Sequence, residues 1–94
     1  MRWTWNRAKA AANLWKHAVS FAAAARVFDD PLHLSQPDPH PDGDRWVTLG
    51  LVGSVLLLVV HTAPDENDDD VVGRIISARK ATAPERRAYE EGED

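Results

Sequence analysis

The residues able to do chemistry collect in the last third of this chain. An apolar run, Leu56 to Val60, ends on His61-Thr62. A second run, Ile75 to Ala78, sits between Arg74 and Arg79-Lys80, and Glu85-Arg86-Arg87 and Tyr89 follow. Histidine, arginine, lysine and tyrosine, with no cysteine in the chain, are the groups of metal-independent RNA cleavage. That reaction drives a ribose 2′-OH onto the adjacent phosphate. It needs a base, an acid for the leaving oxygen and cations for the phosphorane charge. His61 is the natural titrating group, because histidine alone has an unperturbed pKa near neutrality; the competing reading is a sheet-end histidine bonded to a neighbour. Arg79 and Lys80 are candidates for the scissile phosphate, and Tyr89 for a proton transfer if cations activate it. Arg74, Arg45 and Arg86 are candidate RNA contacts, against the plainer reading of surface ion pairs, with Glu85, Tyr89 and Glu90 near enough on a helix to pair with Arg86 and Arg87.

Arg74 and Arg79 are five apart, so on a regular strand they leave opposite faces. The expectation is that the strand ends before Arg79, letting Arg79 and Lys80 turn to the open face. His17 reads as a cation closing a helix, and His33 and His40 as exposed. Asp65, Asn67 and Asp69 start like a calcium loop, but Asp70 stands where its glycine belongs. No Walker loop, dinucleotide fingerprint or His-Glu-x-x-His motif is present, so neither metal nor cofactor is called for.

These groups need a scaffold, and 94 residues suffice for one small domain, residues 1–91, with 92–94 as a frayed acidic tail. The missing cysteines fit a reducing cytoplasm, and no apolar run approaches the roughly 20 residues that span a bilayer. The net charge of −4 argues against a polyanion partner, but its distribution does not. Residues 1–28 hold five Lys/Arg and no acid, and residues 71–87 hold five more against Glu85 alone. Such segregation leaves room for a positive face.

Trp3-Thr4-Trp5 reads as a short strand. Asn6 caps a helix to about His17, with Ala8, Ala11, Ala12, Trp15 and Val19 as its buried stripe and Asn13 off it. Ser20 caps a second helix, with Phe21, Ala24, Ala25 and Phe28 on one face, ended by Asp29-Asp30-Pro31. Strands are expected at Leu32–Ser35, Arg45–Val52, Val55–Thr62 (central, apolar on both faces) and Val71–Ala78, with a tight turn at Gly53 and a polar loop over 63–70. Thr82 and Glu85 form a capping box for a last helix to Glu91. The fold class is α+β, an antiparallel sheet against a helical hairpin and a C-terminal helix. Its expected core is Trp46, Leu58, Val60, Ile75, Phe28 and Leu14.

Read together, these residues resemble a known family. Arg7-Ala8-Lys9-Ala10 with Asn13 and Lys16-His17, Val19-Ser20-Phe21, and Val27-Phe28-Asp29-Asp30-Pro31 are similar to the N-terminal half of the BrnT toxins. Arg45-Trp46-Val47, Val59-Val60-His61-Thr62, the run Arg74 to Thr82, and Glu85-Arg86-Arg87-Ala88-Tyr89-Glu90 resemble the C-terminal half. The resemblance implies a RelE-like fold and an RNA-cleaving toxin of a type II pair. It implies a BrnA-like ribbon-helix-helix antitoxin, with operator DNA bound only through that partner. The alternative is a catalytically weak RelE-fold module acting mainly in the repressor complex. Ala18 stands where the family usually has glycine, Ala22 and Ala23 where it usually has acids, and the loop after His61 is longer and more acidic than usual.

Overall fold

The structure, a computed structural model, describes residues 2–39, 43–63 and 73–92. The expectations for His40, for most of the acidic loop, for Val71-Val72 and for the last two tail residues lie outside this set. Elements run β1 (Trp3–Thr4), α1 (Arg7–His17), α2 (Phe21–Ala25), a 3-10 helix (Arg26–Asp29), β2 (Leu34–Pro37), β3 (Trp46–Val52), β4 (Val55–His61), β5 (Gly73–Lys80) and α3 (Ala83–Glu91). The sheet order is β1-β5-β4-β3-β2, which puts β4, apolar on both faces up to His61, at the centre, as its composition requires. The sheet is mixed rather than antiparallel, because β1 joins β5 in parallel at Trp3–Gly73 and Thr4–Arg74. Gly53 supplies the positive φ (62°) that turns β3 into β4 within two residues.

α1 starts where Asn6 accepts the Lys9 N–H at 3.0 Å. Its stripe faces the wrong way for the expectation. Ala8, Ala11 and Ala12 are exposed and Trp15 is 91% exposed, while Asn13 is buried. The reason is polar rather than apolar. Asn13 Nδ2 donates to Ala78 O at 2.8 Å and to Val19 O at 3.0 Å, and Asn13 Oδ1 accepts the Ala78 N–H at 3.1 Å. One amide side chain thus stands in for a strand at the open edge of β5. Buried backbone polar groups must be paired, and that requirement outweighs the alanine stripe.

α1 ends at Ala18 in the left-handed region (φ 58°), whose N–H donates to Leu14 O. The second helix follows its cap, Ser20, then tightens to 3-10 geometry before Asp30-Pro31. Val19, Phe21, Ala24 and Val27 from this segment meet Leu57, Val59, Ile75 and Ala78 on one face of the sheet, with Phe28 partly buried against them. The 3-10 helix approaches β3 so closely that a Cβ on Gly50 would lie 2.8 Å from Val27 Cβ.

Four expected core residues fall elsewhere. Leu14 is half exposed at the flank of α1. Leu58 and Val60 point to the other face of the sheet, under α3, and Trp46 is only part-buried at the end of β3. β2 starts two residues later than expected, leaving Leu32 exposed.

Candidate functional site

The predicted residues divide between two ends of the sheet. His61, Arg45 and Arg74 lie at one end, since Trp46 and Ile75 both pair with His61. Arg79 and Lys80 lie at the other, opposite Leu58 and Leu57.

His61 is 2% exposed. Its Nδ1 contacts Thr62 O at 2.7 Å, and a carbonyl only accepts, so Nδ1 carries the proton. Nε2 then accepts from Thr48 Oγ1 at 2.6 Å, and Thr48 accepts in turn from Ser35 Oγ at 2.7 Å. Trp3 and Phe28 stack on each other at 4.3 Å and each presents its ring to His61 at 5.0 Å. Burial in this aromatic box pushes the imidazole below its ordinary pKa, against the opposing pull of Thr62 O. The ring is neutral, walled off and fully bonded. His33 resembles it in part: half-buried, with Nδ1 on Asp30 O at 2.7 Å and its ring edge-on to Phe28.

Two expectations about β5 are corrected together. The strand does not stop before Arg79; it runs through Lys80. Nor do Arg74 and Arg79 leave opposite faces. The register slips between Val60–Ser77 and His61–Ile75, leaving Ile76 as a bulge. Ile75 and Ala78 therefore both point into the core. Their neighbours Arg74 and Arg79 then both point to the opposite, open face, about 15 Å apart along the strand.

That open face carries a groove of about 630 Å³ between the sheet and α3. Leu34, Val47, Leu49, Leu58 and Val60 form its floor, and Asp38, Arg79 and Glu85 bring charge to its rim. α3 has no buried residue of its own. It is held down by two polar contacts. Arg79 Nη1 and Nη2 donate to Glu85 Oε1 and Oε2 at 2.8 and 2.9 Å, a bidentate pair. Tyr89 donates to Asp30 Oδ2 at 2.6 Å, and the same oxygen accepts the Leu51 N–H at 2.9 Å.

The electrostatics follow from these contacts. The Arg79 guanidinium, helped by the Thr82 N–H of the capping box, lowers Glu85 to about 2, and Glu85 raises Arg79 in return. Asp30 is held below the usual carboxylate range, first by the Leu51 N–H and then by Tyr89. The hydrogen bond that Tyr89 donates to Asp30, with burial and that carboxylate's charge, pushes the Tyr89 phenol up to about 12. Glu85 and Tyr89 are therefore not partners of Arg86 and Arg87, as helical spacing alone suggested; Arg86 and Arg87 are exposed on α3. Lys80 is exposed at the end of β5 but does not share the open face with Arg79 as expected, since it pairs with Leu57 and so lies on the core side of the sheet; Arg45 is part-buried just before β3.

Three roles in this arrangement were not read from sequence: Glu85 as the partner of Arg79, Asp30 as more than a helix stop, and Thr48 as the partner of His61. The capping-box position marked Glu85 but concealed its second contact, which comes from a strand six residues away. No group of residues suited to hold a metal ion occurs among the described residues. No helix among them is long and apolar enough to cross a membrane.

A family model described as a ribonuclease toxin, BrnT, of a type II toxin–antitoxin system matches residues 5–85. No curated protein matches the chain.

Proposed function

Because the chain belongs to the BrnT family of type II ribonuclease toxins, we propose that it is a metal-independent endoribonuclease, active in the cytoplasm on a RelE-like fold and neutralised by a BrnA-like ribbon-helix-helix antitoxin. RNA lies along the open face of the sheet. The observation that carries this reading is the β5 bulge, which puts Arg74 and Arg79 on that one face with a groove beneath α3.

Arg79 takes the scissile phosphate and stabilises the phosphorane charge. Three of its N–H hydrogens are engaged, two by Glu85 and one by Lys80 O, so two of its five remain without a partner among the described residues. A phosphate that draws the guanidinium away from Glu85 releases that carboxylate from the low value near 2 toward its ordinary 4.5. Glu85 then becomes a stronger base beside the bound ribose just when a base is needed. Tyr89, expected beside cations, sits on the Asp30 carboxylate and keeps its proton up to about pH 12, which makes it a weak acid; it serves the leaving 5′ oxygen as a hydrogen-bond donor. Lys80 adds positive charge at the end of the strand, and Arg74, Arg45 and Arg86 hold the RNA backbone on either side. His61, sealed from solvent, holds the ends of β3 and β4 together rather than touching RNA.

One observation favours the second reading, an inert partner in a repressor complex: Arg79 and Tyr89 are both occupied by carboxylates in the free chain. One assay separates the two. Purified protein is incubated with total RNA in EDTA, comparing wild type with Arg79→Ala, Glu85→Gln and Tyr89→Phe. Cleavage should persist in EDTA, leave 2′,3′-cyclic phosphate ends and fall by roughly 10²-fold in Arg79→Ala. Loss of activity in EDTA would remove the metal-free mechanism. Equal cleavage by every variant would remove this site, and no cleavage by wild type would favour the inert partner.

A further inference from the structure

The outward face of α1 has no partner among the described residues. Ala8, Ala11, Ala12 and Trp15 follow one another at i, i+3, i+4 and i+7, so they form a single line along the helix. All four are exposed, Trp15 at 91%, and Leu14 beside them at 52%. A lone exposed apolar residue means little. A whole apolar line ending in a nearly bare indole is different, and Asn13 is what turns it outward. At 100° per residue, Arg7 flanks the line on one side and Lys9 and Lys16 on the other, all three exposed. No acid occurs before Asp29.

We infer that this face of α1 is a docking surface for an acidic amphipathic helix of a partner protein. Three alanines let a second helix approach closely, and Trp15 supplies the large side chain that enters a pocket on it. Cations on both sides of the line match carboxylates on both sides of the incoming helix's apolar stripe. The same charge disfavours a second copy of this chain, since α1 against α1 would set Arg7, Lys9 and Lys16 beside their own kind. A nucleic acid would use the cations and one stacked base on Trp15, but would leave the alanine line without a role. The inference rests on the proposed function in one respect: the antitoxin is the partner expected to carry the helix. α1 packs along the edge and core side of β5, whereas the groove under α3 lies on the opposite face, so docking and cleavage are separable.

The test uses the full chain, labelled with ¹⁵N, and three probes. The first is a synthetic 21-residue helical peptide with Leu and Ala at i, i+3, i+4 and i+7 and Glu elsewhere. The second replaces each Glu with Lys, and the third is a single-stranded RNA of matching charge. The acidic peptide should shift amides of residues 7–17 and lose affinity as salt rises. Trp15→Glu should weaken it by roughly 30-fold, the loss of one buried aromatic anchor. That variant should keep the wild-type melting temperature and RNA cleavage, because the side chain touches neither core nor groove. Failure of the acidic peptide to shift residues 7–17, or equal binding by Trp15→Glu, overturns the inference. RNA shifting those amides at lower concentration than the peptide overturns it in favour of a nucleic-acid surface. The cleavage assay reads the toxin activity independently, so either conclusion can fail while the other stands.

Discussion

Replacing Asn13 with Ala should destabilise the fold by about 3 kcal/mol, far more than its place on an otherwise exposed helix suggests. Its amide makes three hydrogen bonds, to Val19 O, Ala78 O and the Ala78 N–H, and the residue is 7% exposed. Each bond contributes about 1 kcal/mol net, and the Ala78 N–H and C=O left behind would add a penalty wherever water fails to reach them. A domain of this size is stable by roughly 5–15 kcal/mol, so the loss is a large fraction of the total. Asn13→Asp sharpens the test. It retains an acceptor for the Ala78 N–H but faces two carbonyls with an anion. The folded state should then hold that carboxyl protonated, with a pKa raised above the unfolded value near 3.9. A raised pKa means stability that is present at low pH and lost as pH rises, so this variant should regain stability on acidification from pH 7 to 4 relative to Asn13→Ala. Urea melts followed by circular dichroism give the free energies, and hydrogen exchange at the Ala78 amide reports the bond directly. An Asn13→Ala protein within 0.5 kcal/mol of wild type, with Ala78 still protected, would refute the argument that this side chain closes the sheet edge.

Four further outcomes follow from single contacts. Ala18→Gly should stabilise the chain by about 1 kcal/mol, because Ala18 sits at φ 58° where a Cβ is strained, and a higher urea midpoint at unchanged slope would show it. Gly50→Ala should cost about 1–3 kcal/mol, since its Cβ would fall 2.8 Å from Val27 Cβ and Val27 O; a neutral substitution would mean the 3-10 helix can retreat. Thermal stability should fall as pH drops below about 6.5, where the unfolded chain protonates His61 but the buried, depressed imidazole resists, and this slope should flatten in His61→Gln. Tyr89→Phe removes the Asp30 contact and Glu85→Gln weakens the Arg79 pair, so the double variant should raise protease sensitivity within α3 while the core melts as before.

Much of the local structure was legible without coordinates. Asn6, Ser20 and Thr82 cap their helices through contacts three residues away, and such short-range bonds depend only on sequence separation. The central strand announced itself by being apolar on both faces, and Gly53 marked its turn. The family, too, was readable from residue runs that keep their order. Tertiary structure decided which way each face points and which groups meet. Helical spacing made Ala8, Ala11, Ala12 and Trp15 the apolar side of α1, but an unpaired strand edge required an amide, and Asn13 turned that side outward. Alternation placed Arg74 and Arg79 on opposite faces until a bulge, which no local motif signals, restored them to one. His61 had the right chemistry for catalysis, yet its burial beneath Trp3 and Phe28 depends on residues 58 and 33 positions earlier in the chain. Propensity and capping act over a few residues; packing, desolvation and register act between segments that only the folded chain brings together.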